Sequence, residues 1–142
     1  MRQKSITTLK KEYENYPHFK SLEKFVEIIT QETDLILLLL YGSLARKQHT
    51  QFSDIDLLCV FDKEFKDPKE RFLHSYQYSD GLVQTKTLSL SELKNGLLRG
   101  NSFLHLIFDE GIIVYSTSPT NDIEKWIREG KKNVSVTYMK PY

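Results

Sequence analysis

Two uninterrupted apolar runs, Leu35–Leu40 and Leu57–Phe61, constrain what this 142-residue chain can fold into. Neither approaches the roughly 20 apolar residues of a membrane-spanning helix. Each is bounded by turn formers or carboxylates, so each reads as a buried strand, Leu35–Tyr41 and Ile55–Phe61. The second is apolar on both faces beyond its carboxylates, which predicts an interior place in a sheet. The link between them, Tyr41 to Asp56, reads Y-G-S-L-A-R-K-Q-H-T-Q-F-S-D-I-D. The first strand stops at Gly42-Ser43. Ten residues then separate Ser43 from Asp54, and Asp56 follows in a D-x-D arrangement.

Each part of that link suits one chemistry. Glycine lets the backbone turn tightly and approach a ligand closely. A helical turn opening at Ser43 and passing through Leu44, Ala45 and Arg46 directs free N–H groups at an anion, and the serine hydroxyl adds a donor. Asp54 and Asp56 are two apart, so on a strand both side chains leave one face. Their mutual repulsion is relieved by a hard divalent cation. Mg²⁺ takes oxygen ligands and is commonly shared between carboxylates and substrate phosphates. Paired cations steady the attacking and leaving oxygens of a phosphoryl group. Either half alone is usually a plain turn or a solvated edge; the ordered combination points to transfer from a nucleoside triphosphate.

Gly-Ser, ten residues, then D-x-D resembles the signature of the nucleotidyltransferase superfamily related to DNA polymerase β. The fuller string Y-G-S-L-A-R…S-D-I-D-L-L-C-V is similar to its minimal nucleotidyltransferases, the antitoxins of HEPN/MNT modules. The likeness is dense from Leu35 to Phe61 and extends loosely to Ser116. It implies that Asp54 and Asp56 bind one or two Mg²⁺ ions and that Gly42 and Ser43 hold the phosphates of ATP. Arg46 then either neutralises phosphate charge or is an ordinary surface arginine. Ser53 either orients Asp54 or caps a turn, and His49 lies in the connecting loop near the site. The family's third carboxylate falls on the next strand, at Gln84 in the register favoured here, or at Asp80 in another. Glutamine is neutral and a very poor base, and general-base assistance typically contributes about 10²–10⁴-fold.

The rest of the chain predicts a mixed α/β (α+β) domain: a small mixed sheet with helices packed mainly on one side. Residues 1–16 form a polar N-terminal segment with room for a short helix. Phe19, Leu22, Phe25, Val26 and Ile29 fall at helical spacing. Asp67, Pro68 and Glu70 mark a helix start, as do Ser89 and Glu92. Leu82–Leu88 alternates as a strand after the turn Ser79-Asp80-Gly81. Asn101 opens a helix with Phe103, Leu104, Ile107 and Phe108 on its apolar side. A short strand, Ile112 to Tyr115, precedes a last helix over Pro119–Glu129 with Ile123, Trp126 and Ile127 inward. The single domain is expected over 17–130, with 131–142 a tail whose β-branched and aromatic residues (Tyr138, Pro141, Tyr142) suit a strand or a docking contact.

Composition excludes several classes. A net charge of +1 gives no global field toward nucleic acid or membrane. Lys10, Lys11, Arg46, Lys47, Lys131 and Lys132 are local basic groups, most of them solvated. Cys59 is the one cysteine, so no internal disulfide forms. With no leader visible and no membrane span, the expected location is the cytoplasm. Two functions stand. The first is Mg²⁺-dependent transfer of AMP from ATP to a hydroxyl, the resemblance implying a tyrosine of a partner HEPN toxin. The second is a nucleotide-binding antitoxin, weakened in catalysis by Gln84, that acts by direct contact with its partner. A homo-oligomer is a further expected assembly under either function.

Overall fold

The computed structural model describes residues 1–117 and 120–134. In chain order the elements are β1 (Arg2–Gln3), α1 (Ile6–Glu12), α2 (Phe19–Ile29), β2 (Leu35–Tyr41), β3 (Ile55–Phe61), α3 (Pro68–Tyr76), β4 (Val83–Ser89), α4 (Leu90–Leu98), α5 (Ser102–Glu110), β5 (Ile112–Ser116) and α6 (Asn121–Gly130). A 3₁₀ turn, Lys131–Asn133, follows. The five strands form one sheet in the order β1-β5-β2-β3-β4. β2 runs antiparallel to β3 and β5, while β1–β5 and β3–β4 are parallel. The sheet is therefore mixed, as expected. No helix among the described residues is long and apolar enough to cross a membrane.

The layering differs from the one-sided packing expected. Three helices cover each face, because β2 and β3 are apolar on both sides. Leu35, Leu38, Leu40, Leu57, Cys59 and Phe61 face a core shared with Leu9 of α1 and with Leu22, Phe25 and Ile29 of α2. α3 lies on that side too, its buried Ser75 accepting from Thr87 Oγ1 at 2.7 Å and its His74 ring meeting Phe61. Leu37, Leu39, Leu58 and Val60 face the other core, with Leu93 and Leu97 of α4, Leu104, Ile107 and Phe108 of α5, and Ile123 of α6.

Local chemistry sets the element boundaries. Asp67 accepts from Glu70 N at 2.8 Å, while the Glu70 carboxylate reaches Lys66 N rather than the cap itself. Ser89 and Glu92 close a complete capping box. α4 ends with Gly100 at φ +80, Gly100 N on Leu97 O and Asn101 N on Gly96 O, the paired bonds of a Schellman motif. The short helix for which residues 1–16 have room is present, and an edge strand joins it. Two expectations are corrected. The segment is not merely polar, since Leu9, Tyr13 and Tyr16 enter the core. On α5, Phe103 is exposed and His105 is buried in its place, its Nε2 2.8 Å from Leu97 O. Pro119 and residues 135–142, including Tyr138, Pro141 and Tyr142, lie outside the described residues.

Candidate functional site

β2 ends in a single wound turn rather than a helix. Gly42 sits at φ +78 and Lys47 at φ 57. Between them Arg46 N donates to Gly42 O (3.1 Å), Lys47 N to Leu44 O (3.0 Å) and Gln48 N to Ser43 O (2.9 Å). Leu44 and Ala45 are buried and anchor the turn in the core. Among the described residues no acceptor takes the N–H groups of Ser43, Leu44 and Ala45. The first turn of such a segment leaves its N–H donors without partners of their own, as an anion site requires.

Asp56 lies on β3, opposite Tyr41 of β2. A Cβ built on Gly42 would fall 2.3 Å from Asp56 Oδ2, so the turn and the carboxylate are in direct apposition and only glycine fits between them. Asp54 precedes β3 and is exposed. Burial holds the Asp56 carboxyl above its ordinary range, the charge of Asp54 adds to the rise, and Arg46 opposes it. Among the described residues neither carboxylate has an ion-pair partner, and no group of three or more His, Cys, Asp or Glu side chains stands close enough together to hold a metal by itself. Two like-charged hard oxygen donors with no cation of their own suit a divalent ion whose remaining ligands are phosphate oxygens and water.

β4 runs parallel to β3 with Gln84 in register with Asp56. Gln84 is therefore the side chain beside the pair. Its Nε2 donates to Gly81 O at 3.0 Å. Asp80 is committed elsewhere. Its Oδ2 accepts from Ser21 Oγ at 2.6 Å and its Oδ1 from Leu82 N at 3.0 Å, and the serine bond leads in holding its carboxyl below the usual range. Arg46 Nη1 pairs with Glu110 at 3.0 Å and its Nε reaches Gln48 Oε1. Ser53 closes the connecting loop, its Oγ accepting from Thr50 N at 2.9 Å. His49 lies 5.3 Å from the rings of both Tyr13 and Tyr16, its Nδ1 buried without a hydrogen-bond partner.

Sequence reasoning missed the groups that hold both halves of this site. Tyr13 OH donates to Leu44 O at 2.5 Å, fixing the turn. Tyr16 OH donates to Ser53 O, immediately before Asp54. Arg2 donates to Ala45 O at 3.3 Å and to Glu110 O. Leu9, Tyr13 and Tyr16 stand at i, i+4 and i+7, a helical core pattern visible once tyrosine is counted as apolar.

A family model described as "Polymerase beta, Nucleotidyltransferase" matches residues 23–120. No match was found among curated proteins. Among solved structures the chain is similar to a candidate nucleotidyltransferase from Sulfolobus solfataricus, at 20% identity over 69% of this chain and 79% of that one, with a TM-score of 0.53. That likeness is one of fold. A toxin–antitoxin structure with AMP-PNP aligns at 15% identity over 80% of this chain and 83% of that one, with a TM-score of 0.46. A point variant of the MntA–HpeT toxin–antitoxin aligns at 18% identity over 80% and 82%, with a TM-score of 0.49.

Proposed function

The chain belongs to the polymerase β-type nucleotidyltransferase family, and from that premise we propose that it moves AMP from ATP onto a hydroxyl, with Mg²⁺ held by Asp54 and Asp56. The observation that carries this is the apposition of Gly42 with the Asp56 carboxylate, beside a second carboxylate and a turn with free N–H groups. Ser43 and the turn N–H groups bind the outer phosphates, with Arg46 offsetting charge at their edge. When bound, the metal neutralises the α-phosphate and the departing pyrophosphate. The acceptor oxygen forms a bond to the α-phosphorus as the α–β bridging P–O bond breaks. Pyrophosphate leaves with that electron pair, and the hydroxyl proton passes to solvent, since Gln84 cannot take it.

We assign the transferring unit to residues 17–130, with residues 1–16 as its brace, acting in the cytoplasm. The acceptor we propose is a tyrosine of a HEPN-type toxin, a reading that rests on the motif Y-G-S-L-A-R…S-D-I-D-L-L-C-V. One observation favours a second reading. The neutral Gln84 stands in register with Asp56 where a carboxylate would complete the site, which suits an antitoxin that keeps the nucleotide and neutralises its partner by contact. Incubating the chain with α-labelled ATP, Mg²⁺ and the protein encoded beside it separates the two. Label on the partner, lost in Asp54→Asn/Asp56→Asn, supports transfer; Gln84→Glu should raise the rate. Stable co-purification without label supports the contact reading, and transfer by the double asparagine variant at the parental rate overturns the site.

A further inference from the structure

An aromatic shelf adjoins the paired carboxylates, and the transfer reading leaves it unused. Tyr41, the strand partner of Asp56, meets the Phe103 ring edge-on with centroids 5.7 Å apart. Phe103, in the first turn of α5, is 38% exposed, whereas Leu104, Ile107 and Phe108 behind it are buried. Lys86 holds its Nζ 5.4 Å from the Phe103 ring centroid. It is exposed on β4 two residues past Gln84, so it shares the face of Gln84 and, through the register, of Asp56. The shelf is thus a partly open ring, backed by a second ring, with the ammonium of a flexible, exposed lysine over it, one side-chain spacing from the carboxylates.

Those groups fit a ligand that is flat, aromatic and anionic at one end. An exposed ring offers a π-face to any base, and the ammonium favours a ligand with negative charge nearby. Tyr41 immediately precedes Gly42, so a triphosphate held by the turn brings its own base within reach of this shelf. We propose that Phe103 is the stacking surface for the nucleobase, with Tyr41 setting the ring's position and the exposed Lys86 side chain yielding its place over the ring to the base; this rests on the nucleotidyl-transfer reading. Stacking tolerates every base, so the shelf separates a nucleotide from a bare polyphosphate more sharply than adenine from guanine.

The test is calorimetric titration of the full chain with ATP and with tripolyphosphate, both with Mg²⁺. The parent should bind ATP more tightly than tripolyphosphate. Phe103→Ala should weaken ATP binding about 5- to 150-fold, the range of one base–aromatic stack, and leave tripolyphosphate within about two-fold of the parent. Phe103→Leu, which keeps apolar packing but has no π-face, should show the same loss, and Phe103→Trp should retain or tighten binding. Unchanged ATP affinity in the alanine and leucine variants overturns the inference. So does a parallel loss for both ligands, or a lowered acceptor affinity with ATP binding intact. A parent that binds ATP and tripolyphosphate equally overturns the shelf alone, whereas a parent that binds neither overturns the transfer reading with it.

Discussion

Replacing Gly42 with alanine separates backbone strain from the contact that defines the site. At φ +78 an L-residue carries a left-handed penalty of about 1–2 kcal/mol. The new Cβ would also lie 2.3 Å from Asp56 Oδ2 and 3.2 Å from its Cγ. Asp56 is a short side chain that can turn away, leaving its preferred rotamer at a cost of about 0.5–1.5 kcal/mol. The total, about 1.5–3.5 kcal/mol, is below the roughly 5–15 kcal/mol of a typical domain, so the variant folds. Its carboxylate, however, no longer faces Asp54. Asp56→Ala removes the two closest atoms and leaves Cβ at 3.4 Å, an ordinary contact. In that background Gly42→Ala should cost the strain alone. Urea unfolding of the four proteins should give a coupling of about 0.5–1.5 kcal/mol. Titration with Mn²⁺ should show binding weakened in Gly42→Ala as strongly as in Asp56→Ala. A coupling of zero, with metal binding intact in Gly42→Ala, would refute the apposition. Gly81→Ala is the control, since φ there is +101 and no atom lies within 4 Å of its Cβ.

Other perturbations test the surroundings of that contact. Asp56 has a folded-state pKa above its unfolded value, through burial first and Asp54 second. Its contribution to stability is therefore present below the unfolded value of about 3.8 and lost as pH rises through the folded one. Metal-free Asp56→Asn should be more stable than the parent at pH 7, with the advantage narrowing toward pH 4, as measured by urea unfolding across that range. Tyr16→Phe removes the donor to Ser53 O and should lower stability by about 0.5–1.5 kcal/mol. It should also weaken Mn²⁺ binding, while Tyr76→Phe, on α3, leaves metal affinity unchanged. Gly130→Ala would place a Cβ 1.7 Å from the backbone oxygen of Leu97. No side chain can move to relieve that contact, so the loss should reach about 3 kcal/mol or abolish soluble expression, read by thermal unfolding and yield.

The legible parts of this fold are the ones written in short-range patterns. Leu35–Tyr41 and Ile55–Phe61 are found with the bounds their apolar runs set, because a strand buried on both faces needs continuous apolar sequence. Capping residues placed the starts of α3, α4 and α5 correctly, since a side chain bonding a backbone N–H three residues on is wholly local. The same runs imply a second helical layer: residues pointing to opposite faces of β2 and β3 are equally apolar, and each set needs its own cover. Phe103 was misplaced for a related reason. Spacing along α5 fits it to the buried side, but the helix is rotated so that His105 goes inward and reaches Leu97 O, a partner eight residues back on another helix.

The site divides along the same line. Its acidic pair and glycine turn were readable because their spacing is local, whereas what holds them together spans 31 residues from Tyr13 to Leu44 and 37 from Tyr16 to Ser53. No short-range pattern encodes such bonds. Position 84 shows the difference in one residue. Its alignment with the carboxylates depends on the parallel register of β3 and β4, in which Ile55 faces Val83 and Asp56 faces Gln84. A shift of one residue would turn Gln84 to the opposite face and bury Lys86 against the core around Cys59. Thr87 in that core, bonded to Ser75 of α3, and Leu88 in the other fix the register from both sides. The neutral side chain beside Asp56 is therefore held there by core packing, and under the proposed transfer the acceptor's proton leaves by another route than a carboxylate at that position.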